Sequence, residues 1–267
     1  MSNGQKKAKM KSDFLGRIQD EVDLFNHLVA TDQGDWIVKG FIDVAKNIYT
    51  ISIDTKVISK IMELLLFPQI CSFAEKNDLK IILSKEQNSC PDITFVDDND
   101  NKYSVDIKST YRKNEHSVNG MTLGAFTGYF RDRKSSKNIT FPYSDYLGHF
   151  VLGVIYSRDE NVIDERKVYQ LADLNSITSV IRDFDFFVQE KYRIASDQPG
   201  SGNTKNIGSS KVVSELKNGT GMFADLGEPV FDDYWMYYHT KEMAKAAELP
   251  KQPYKNLLEY KKYKNLE

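Results

Sequence analysis

The sequence predicts a mixed α/β protein, of the α+β kind, with a central mixed β-sheet flanked by helices. Three stretches carry that prediction. Apolar residues recur at helical spacing after Asp54, in Val57, Ile58, Ile61, Met62, Leu65 and Leu66. Residues 92–109 read as two alternating strands around the turn "DDNDN", and such a hairpin rules out a purely parallel sheet. "HFVLGVIYS" (149–157) is strongly apolar, as a central strand covered on both faces would be.

The remaining elements follow in chain order. Residues 1–11 are basic and read as a disordered tail. Residues 12–30 have helical periodicity, with Ser12 as N-cap. The stretch 36–53 reads as two short strands joined around 43–47. A long helix starts near Thr55 with Asp54 as cap, and Pro68 should kink it or end its first half. "LKIILS" (79–84) and "DITFV" (92–96) are strands. In "KYSVDIKS" (102–109), Tyr103, Val105 and Ile107 face one way and Ser104, Asp106 and Lys108 the other. A helix is expected over about Leu123 to Arg131, further strands in "KVYQL" and "FDFFVQEKYRIA", and polar helices over 230–267. Residues 12–267 are expected to form a single domain.

Composition excludes several classes. The chain has 267 residues, 40 % hydrophobic and 12 % aromatic, enough for one sizeable core. No uninterrupted apolar run reaches the roughly 20 residues that cross a bilayer, so no membrane is expected. The N-terminus lacks the apolar core of a secretory signal. Cys71 and Cys90 are too few for a disulfide scaffold, which suggests a reducing, cytoplasmic setting. Basic and acidic residues number 36 and 38, so no overall basic charge points to nucleic acid. Local basic groups do occur, at Lys6–Lys11, at Arg131 to Lys137 and at Lys251 to Lys264.

The 92–109 hairpin carries the chemistry. Residues two apart on a strand share a face, so Asp106 stands beside Lys108, and the turn returns Asp92 to the neighbouring strand. Two close carboxylates need a proton or a cation between them. Hard oxygen ligands suit Mg²⁺, whose shell is completed by water and phosphate oxygens. A lysine beside them can stabilise charge on a pentacovalent phosphorus. That is equipment for phosphodiester hydrolysis. By itself, so loose a pattern weighs toward an exposed hairpin with a surface ion pair. "DDNDNK" fails as an EF-hand, because Lys102 and Lys108 occupy its glycine and glutamate positions. Glu63 lies on the polar stripe of the long helix with Lys56, Ser59 and Lys60, as a solvent-facing glutamate would.

"GSGNTKNIG" (200–208) offers amides, hydroxyls and bare backbone. Asn can bond adenine bidentately, Thr can touch the thymine methyl, and glycine lets backbone approach base edges. A flexible surface loop would share that composition. "EQNS" (86–89), directly before Pro91-Asp92, carries Gln87 and Asn88.

Taken together, "IDTKVISKIMEL", "KEQNSCPDITF", "VDIKSTY", "TLGAFTGYFR", "KNITFPYSDYLGHFVLGVIY" and "GSGNTKNIG" resemble, in order and spacing, type II restriction endonucleases of the PD-(D/E)XK nuclease superfamily. The resemblance runs from about Ser12 to Tyr260. It implies a PD-(D/E)XK core with a small dimerisation subdomain over 36–53 and about 165–176. It implies Mg²⁺ (Mn²⁺ as substitute) at Asp92, Asp106 and Ile107, Lys108 as catalytic lysine, and Glu63 near the site, assisting a second metal. Gly200, Ser201, Gly202, Asn203, Thr204, Lys205 and Asn206 would read the major groove, within a loop over 197–208. Gln87 and Asn88 would lie in a minor-groove loop over 84–91. Asp54, Lys56, Ser109, Thr110, Tyr111 and Lys137 match positions near metal or phosphates. The implied partners are double-stranded DNA, a second copy of the chain and a companion DNA methyltransferase. The implied target is a GATATC-like palindrome cut at its centre, leaving blunt ends and 5′-phosphates.

Three residues depart from the family pattern. Lys205 replaces a threonine, Gly128 a serine near the DNA backbone, and Glu86 a glutamine. None touches the paired carboxylates. Two other readings remain open at this stage: a repair or structure-specific nuclease with the same core, and a DNA-binding protein without cleavage.

Overall fold

The structure is a computed structural model, and it describes residues 2–84, 86, 89–159, 167–200 and 205–266. The chain opens with helices α1 (Asn3–Gln19) and α2 (Val22–Val29). Strands β1 (Gly40–Ile42) and β2 (Asn47–Thr50) follow, then the long helix α3 (Thr55–Lys76). Next come β3 (Lys80–Leu83), β4 (Ile93–Val96), β5 (Lys102–Asn114), β6 (Ser117–Val118), β7 (Thr122–Ala125) and β8 (Tyr146–Arg158). After β9 (Val168–Gln170) and β10 (Ile181–Glu190), a helical turn α4 (Lys191–Ile194) leads into β11 (Ala195–Pro199) and β12 (Asn206–Ser209). Helices α5 (Val213–Asn218), α6 (Glu228–Tyr237), α7 (Lys241–Ala246) and α8 (Leu257–Lys264) close the chain.

The central sheet runs β10-β8-β5-β4-β3, with β6 on the far end of β5. β5 and β8 pair in parallel and their neighbours pair antiparallel, so the sheet is mixed, as expected. Both faces are covered, which is why β8 is apolar along its length. One face packs under α1, α2 and α3 around Phe14, Phe73, Phe95, Tyr103, Phe150 and Leu152. The other packs under the C-terminal helices around Val151, Ile155, Phe187, Phe231, Tyr234 and Trp235. Two small sheets stand outside: β1-β2-β9 and β11-β12-β7.

Several sequence expectations give way. Residues 3–11, expected as a disordered tail, are helical. Ser2 and Gln5 form a capping box at the start of α1, Phe14 stacks on Tyr103 at 4.3 Å, and Lys11 pairs with Glu190 (2.6 Å) and Glu228 (2.5 Å). Those contacts outweigh the repulsion among the terminal lysines. The single helix expected over 12–30 is divided between α1 and α2. α3 does not stop at Pro68, because burial of Leu66, Ile70, Phe73 and Ala74 sustains it beyond the lost hydrogen bond. By length and composition α3 could cross a membrane, contrary to the sequence reading, but here it is a core helix. The helix expected over 123–131 is β7 followed by a 3-10 turn, since Gly124 (φ +93) and Gly128 (φ +56) are left-handed. The segment 230–267 is helical but not polar throughout: Tyr234, Trp235, Tyr254 and Tyr260 are buried. The three tyrosine hydroxyls find partners: Tyr234 the Asp197 carbonyl (2.7 Å), Tyr254 the Tyr234 carbonyl and Tyr260 the Asp233 carboxylate (2.6 Å).

Candidate active site

The register of β4 and β5 builds the site. Ile93 pairs with Val105, and continuing that register sets Asp92 opposite Asp106. Lys108 stands two residues along β5 on the face of Asp106. Its Nζ lies 3.4 Å from Asp92 Oδ2 and 3.5 Å from Asp106 Oδ1. The Ile107 amide donates to Asp92 Oδ2 at 2.7 Å. The two carboxylates and the ammonium predicted from the hairpin therefore do converge.

Their environments differ. Asp106 is buried, while Asp92 is partly open to solvent. Burial raises the Asp92 carboxyl above its ordinary range, against the pull of Lys108. Burial also opposes the Asp106 charge, but the ammoniums of Lys108 and Lys191 and the Asp92 backbone outweigh it and hold that carboxyl below its ordinary range. Desolvation disfavours the Lys108 ammonium, yet Asp106 and Asp92 raise its pKa overall.

The donor set suits a hard cation: two carboxylates, one anchored through a backbone amide, with an open side for water and phosphate oxygens. Among the described residues, no group of three or more His, Cys, Asp or Glu is gathered as a metal cage. Glu63, expected to assist, is held in an ion pair with Lys60 at 2.7 Å. It reaches Asp92 through its field.

The other expected site residues fall in several places. Asp54 caps α3, accepting from the Lys56 amide at 2.8 Å, while the Lys56 side chain is exposed. Ser109 shares a hydrogen bond with Ser59 at 2.8 Å, tying β5 to α3. Thr110 donates to the Gly120 carbonyl (3.3 Å), and the Tyr111 ring lies 3.5 Å from the Arg158 guanidinium. Lys137 is exposed in a turn, and the chain just after it runs beside the Asp92 loop through Cys90 N to the Asn138 carbonyl (3.1 Å).

Gly200, Lys205 and Asn206 stand where β11 and β12 approach each other. The Gly200 amide donates to the Asn206 carbonyl (3.0 Å), and the Phe126 amide to the Lys205 carbonyl (3.0 Å). Asn206 pairs with Ala125 across β12 and β7. Ser201, Gly202, Asn203 and Thr204, with Gln87 and Asn88, lie outside the described residues.

Sequence reasoning missed the polar groups behind Asp106. The Cys90 thiol lies 3.9 Å from Asp106 Oδ2. Tyr129, His149 and Lys191 are buried nearby. The one available signal was a lysine inside the otherwise strand-like "FDFFVQEKYRIA".

The family model described as "Restriction endonuclease EcoRV" matches residues 32–265. The type II restriction enzyme EcoRV of Escherichia coli is 34 % identical over 244 residues, covering 90 % of this chain and 96 % of that protein. The solved structure of the NlaIV restriction endonuclease is 12 % identical, with a TM-score of 0.43, covering 94 % of this chain and 89 % of that one.

Proposed function

The chain belongs to the EcoRV restriction endonuclease family, and from that premise we propose that it cleaves both strands of a GATATC-like palindrome, using Mg²⁺ at Asp92 and Asp106. Cleavage leaves blunt ends with 5′-phosphates. The observation that carries the reading is the ammonium of Lys108 shared by two carboxylates on adjoining strands.

A divalent cation held there supplies Lewis-acid activation of the phosphodiester and of a water. Asp92 and Asp106 hold it, with the Ile107 carbonyl as a third oxygen and Glu63 at the rim. The Ile107 amide fixes the Asp92 carboxylate, which limits its motion when the site is filled. Lys108 presents its ammonium where negative charge grows on the phosphorus oxygens. Lys56 and Lys137 meet flanking phosphates. Asp54, Ser109, Thr110 and Tyr111 hold the strand and helix that carry these groups.

Gly200 to Asn206 read the major groove, and Gln87 and Asn88 the minor groove. Lys205 adds a phosphate contact or changes the site read. The β1-β2-β9 sheet exposes Phe41, Tyr49 and Val168, cross-strand neighbours on one face, an apolar patch suited to a second copy of the chain. A two-fold dimer presents one site to each strand of a palindrome. Residues 36–53 and about 165–176 then form the dimerisation subdomain of a single endonuclease domain. The setting is the cytoplasm, beside a methyltransferase that protects host DNA.

The test is incubation with DNA of known sequence and Mg²⁺, followed by mapping of fragment ends. Discrete blunt fragments at GATATC support the proposal. Discrete fragments elsewhere overturn the site, a smear favours a structure-specific nuclease, and a gel shift without cutting favours a binding protein. Asn203→Ala should lose specific cleavage while metal binding persists. Unchanged cutting of the same sites would remove the loop from recognition.

A further inference from the structure

One buried cation stands behind the site described above and makes no ion pair there among the described residues. Lys191 opens α4 and is 2 % exposed. Among the described residues it forms no ion pair, although the adjacent Glu190 pairs with Lys11 (2.6 Å) and Arg193 (2.9 Å). A buried ammonium without a partner is costly, so its retention asks for a reason.

Its position supplies one. The place a side chain would occupy at Gly124 lies 3.7 Å from Lys191 Nζ and 3.2 Å from Tyr129 Oη, so both groups border the same gap. Tyr129 stands beside Cys90, and Cys90 Sγ lies 3.9 Å from Asp106 Oδ2. Nζ also faces the Tyr143 ring at 5.6 Å. Lys191 thus ends a buried polar row that begins at Asp106. Burial works against the Asp106 charge; the charge of Lys108, then that of Lys191, works for it.

Charge counting gives the consequence. Asp92 and Asp106 carry two negative charges, and Lys108 and Lys191 carry two positive ones. A dication meets a neutral site and gains little there. A phosphate placed beside it adds the missing negative charge. α4 also leads directly into β11, beside the loop proposed to read DNA, and the Ser210 amide beyond that loop donates to the Ile194 carbonyl (2.7 Å).

We propose that Lys191 is a positioning charge that keeps divalent-cation affinity low in the DNA-free protein, so that the cation is held firmly only once DNA phosphate is in place. This rests on Asp92 and Asp106 being the metal ligands.

The experiment measures Mn²⁺ bound by DNA-free protein, from the free Mn²⁺ spin-resonance signal. It compares the parent protein with Lys191→Met, Lys191→Arg and Asp106→Ala. Lys191→Met should bind Mn²⁺ about tenfold more tightly, and the gain in Mn²⁺ affinity on adding an uncleavable duplex should shrink by the same factor. Lys191→Arg should behave as the parent. Unchanged or weaker Mn²⁺ binding by Lys191→Met overturns the proposal. So does failure of Lys191→Arg to restore parental affinity. If Asp106→Ala binds Mn²⁺ as the parent does, the error lies instead in the metal-ligand reading.

Discussion

Asp92 and Asp106, fourteen positions apart in sequence, share one ammonium: Lys108 Nζ stands 3.4 Å from the first and 3.5 Å from the second. Lys108→Met should therefore have two effects. Cleavage should fall by more than about 10²-fold, the scale of one transition-state-stabilising group. The metal-free protein should lose about 1–3 kcal/mol, because two carboxylates then face each other without a counter-charge. Mn²⁺ should restore more stability to the variant than to the parent, read as the shift in melting temperature.

Cys90 should be a slow thiol. Burial, and then the Asp106 charge, push its pKa up to about 12. In metal-free, DNA-free protein near pH 8, its alkylation by iodoacetamide should run roughly 10³-fold slower than that of an unperturbed thiol. Asp106→Asn removes the repelling charge, lowers the thiol pKa and should speed the reaction. Peptide mapping of the alkylated protein separates Cys90 from Cys71, and equal rates in parent and variant would refute the electrostatic link.

His149 should make the fold acid-sensitive. Burial, then the charges of Lys191 and Arg133, hold its pKa well below 6.5. The ring stacks on Tyr143 at 3.8 Å, and its Nδ1 has no hydrogen-bond partner. A depressed pKa gives stability that is present above the unfolded value and lost as pH falls toward the folded one. Below about pH 6.5 the unfolded chain takes up a proton that the native state refuses, at about 1.4 kcal/mol per pH unit. His149→Phe keeps the stack and removes the titration. Its stability relative to the parent should rise as pH drops from 6.5 to 5, and a constant difference across that range would refute the assignment.

Gly208 should be required where β12 approaches β11, beside the loop proposed to read DNA. A Cβ there would stand 2.5 Å from the Gln198 carbonyl oxygen and 3.1 Å from the Gly200 Cα, all rigid backbone. Gly208→Ala should open the β11-β12 pairing, weaken specific cleavage by about tenfold or more, and leave non-specific DNA binding intact. Cleavage assays beside gel shifts on specific and random duplexes check this.

The apolar face of β1-β2-β9 should be an interface. Phe41 is 53 % and Tyr49 45 % exposed, paired side by side on one face. Phe41→Asp would bury a charge at any such contact. The parent should sediment as a dimer and the variant as a monomer, and a monomeric parent would refute the expectation.

The sequence by itself determined the mixed sheet, the Asp54 cap, the face shared by Asp106 and Lys108, and the return of Asp92 beside them. Each follows from alternation, capping and turn chemistry over a few residues, where local geometry leaves little choice. The resemblance to restriction endonucleases then supplied roles that alternation could not. Only the tertiary structure decided the rest. Lys6–Lys11 form a helix rather than a tail because Phe14 and Lys11 find partners more than eighty residues away. Glu63 turns to Lys60. Lys191 and Cys90 come to stand behind Asp106 because β10, β8 and β5 lie side by side. Such encounters join segments distant in the chain, and their energies depend on burial and on charges that no local pattern records.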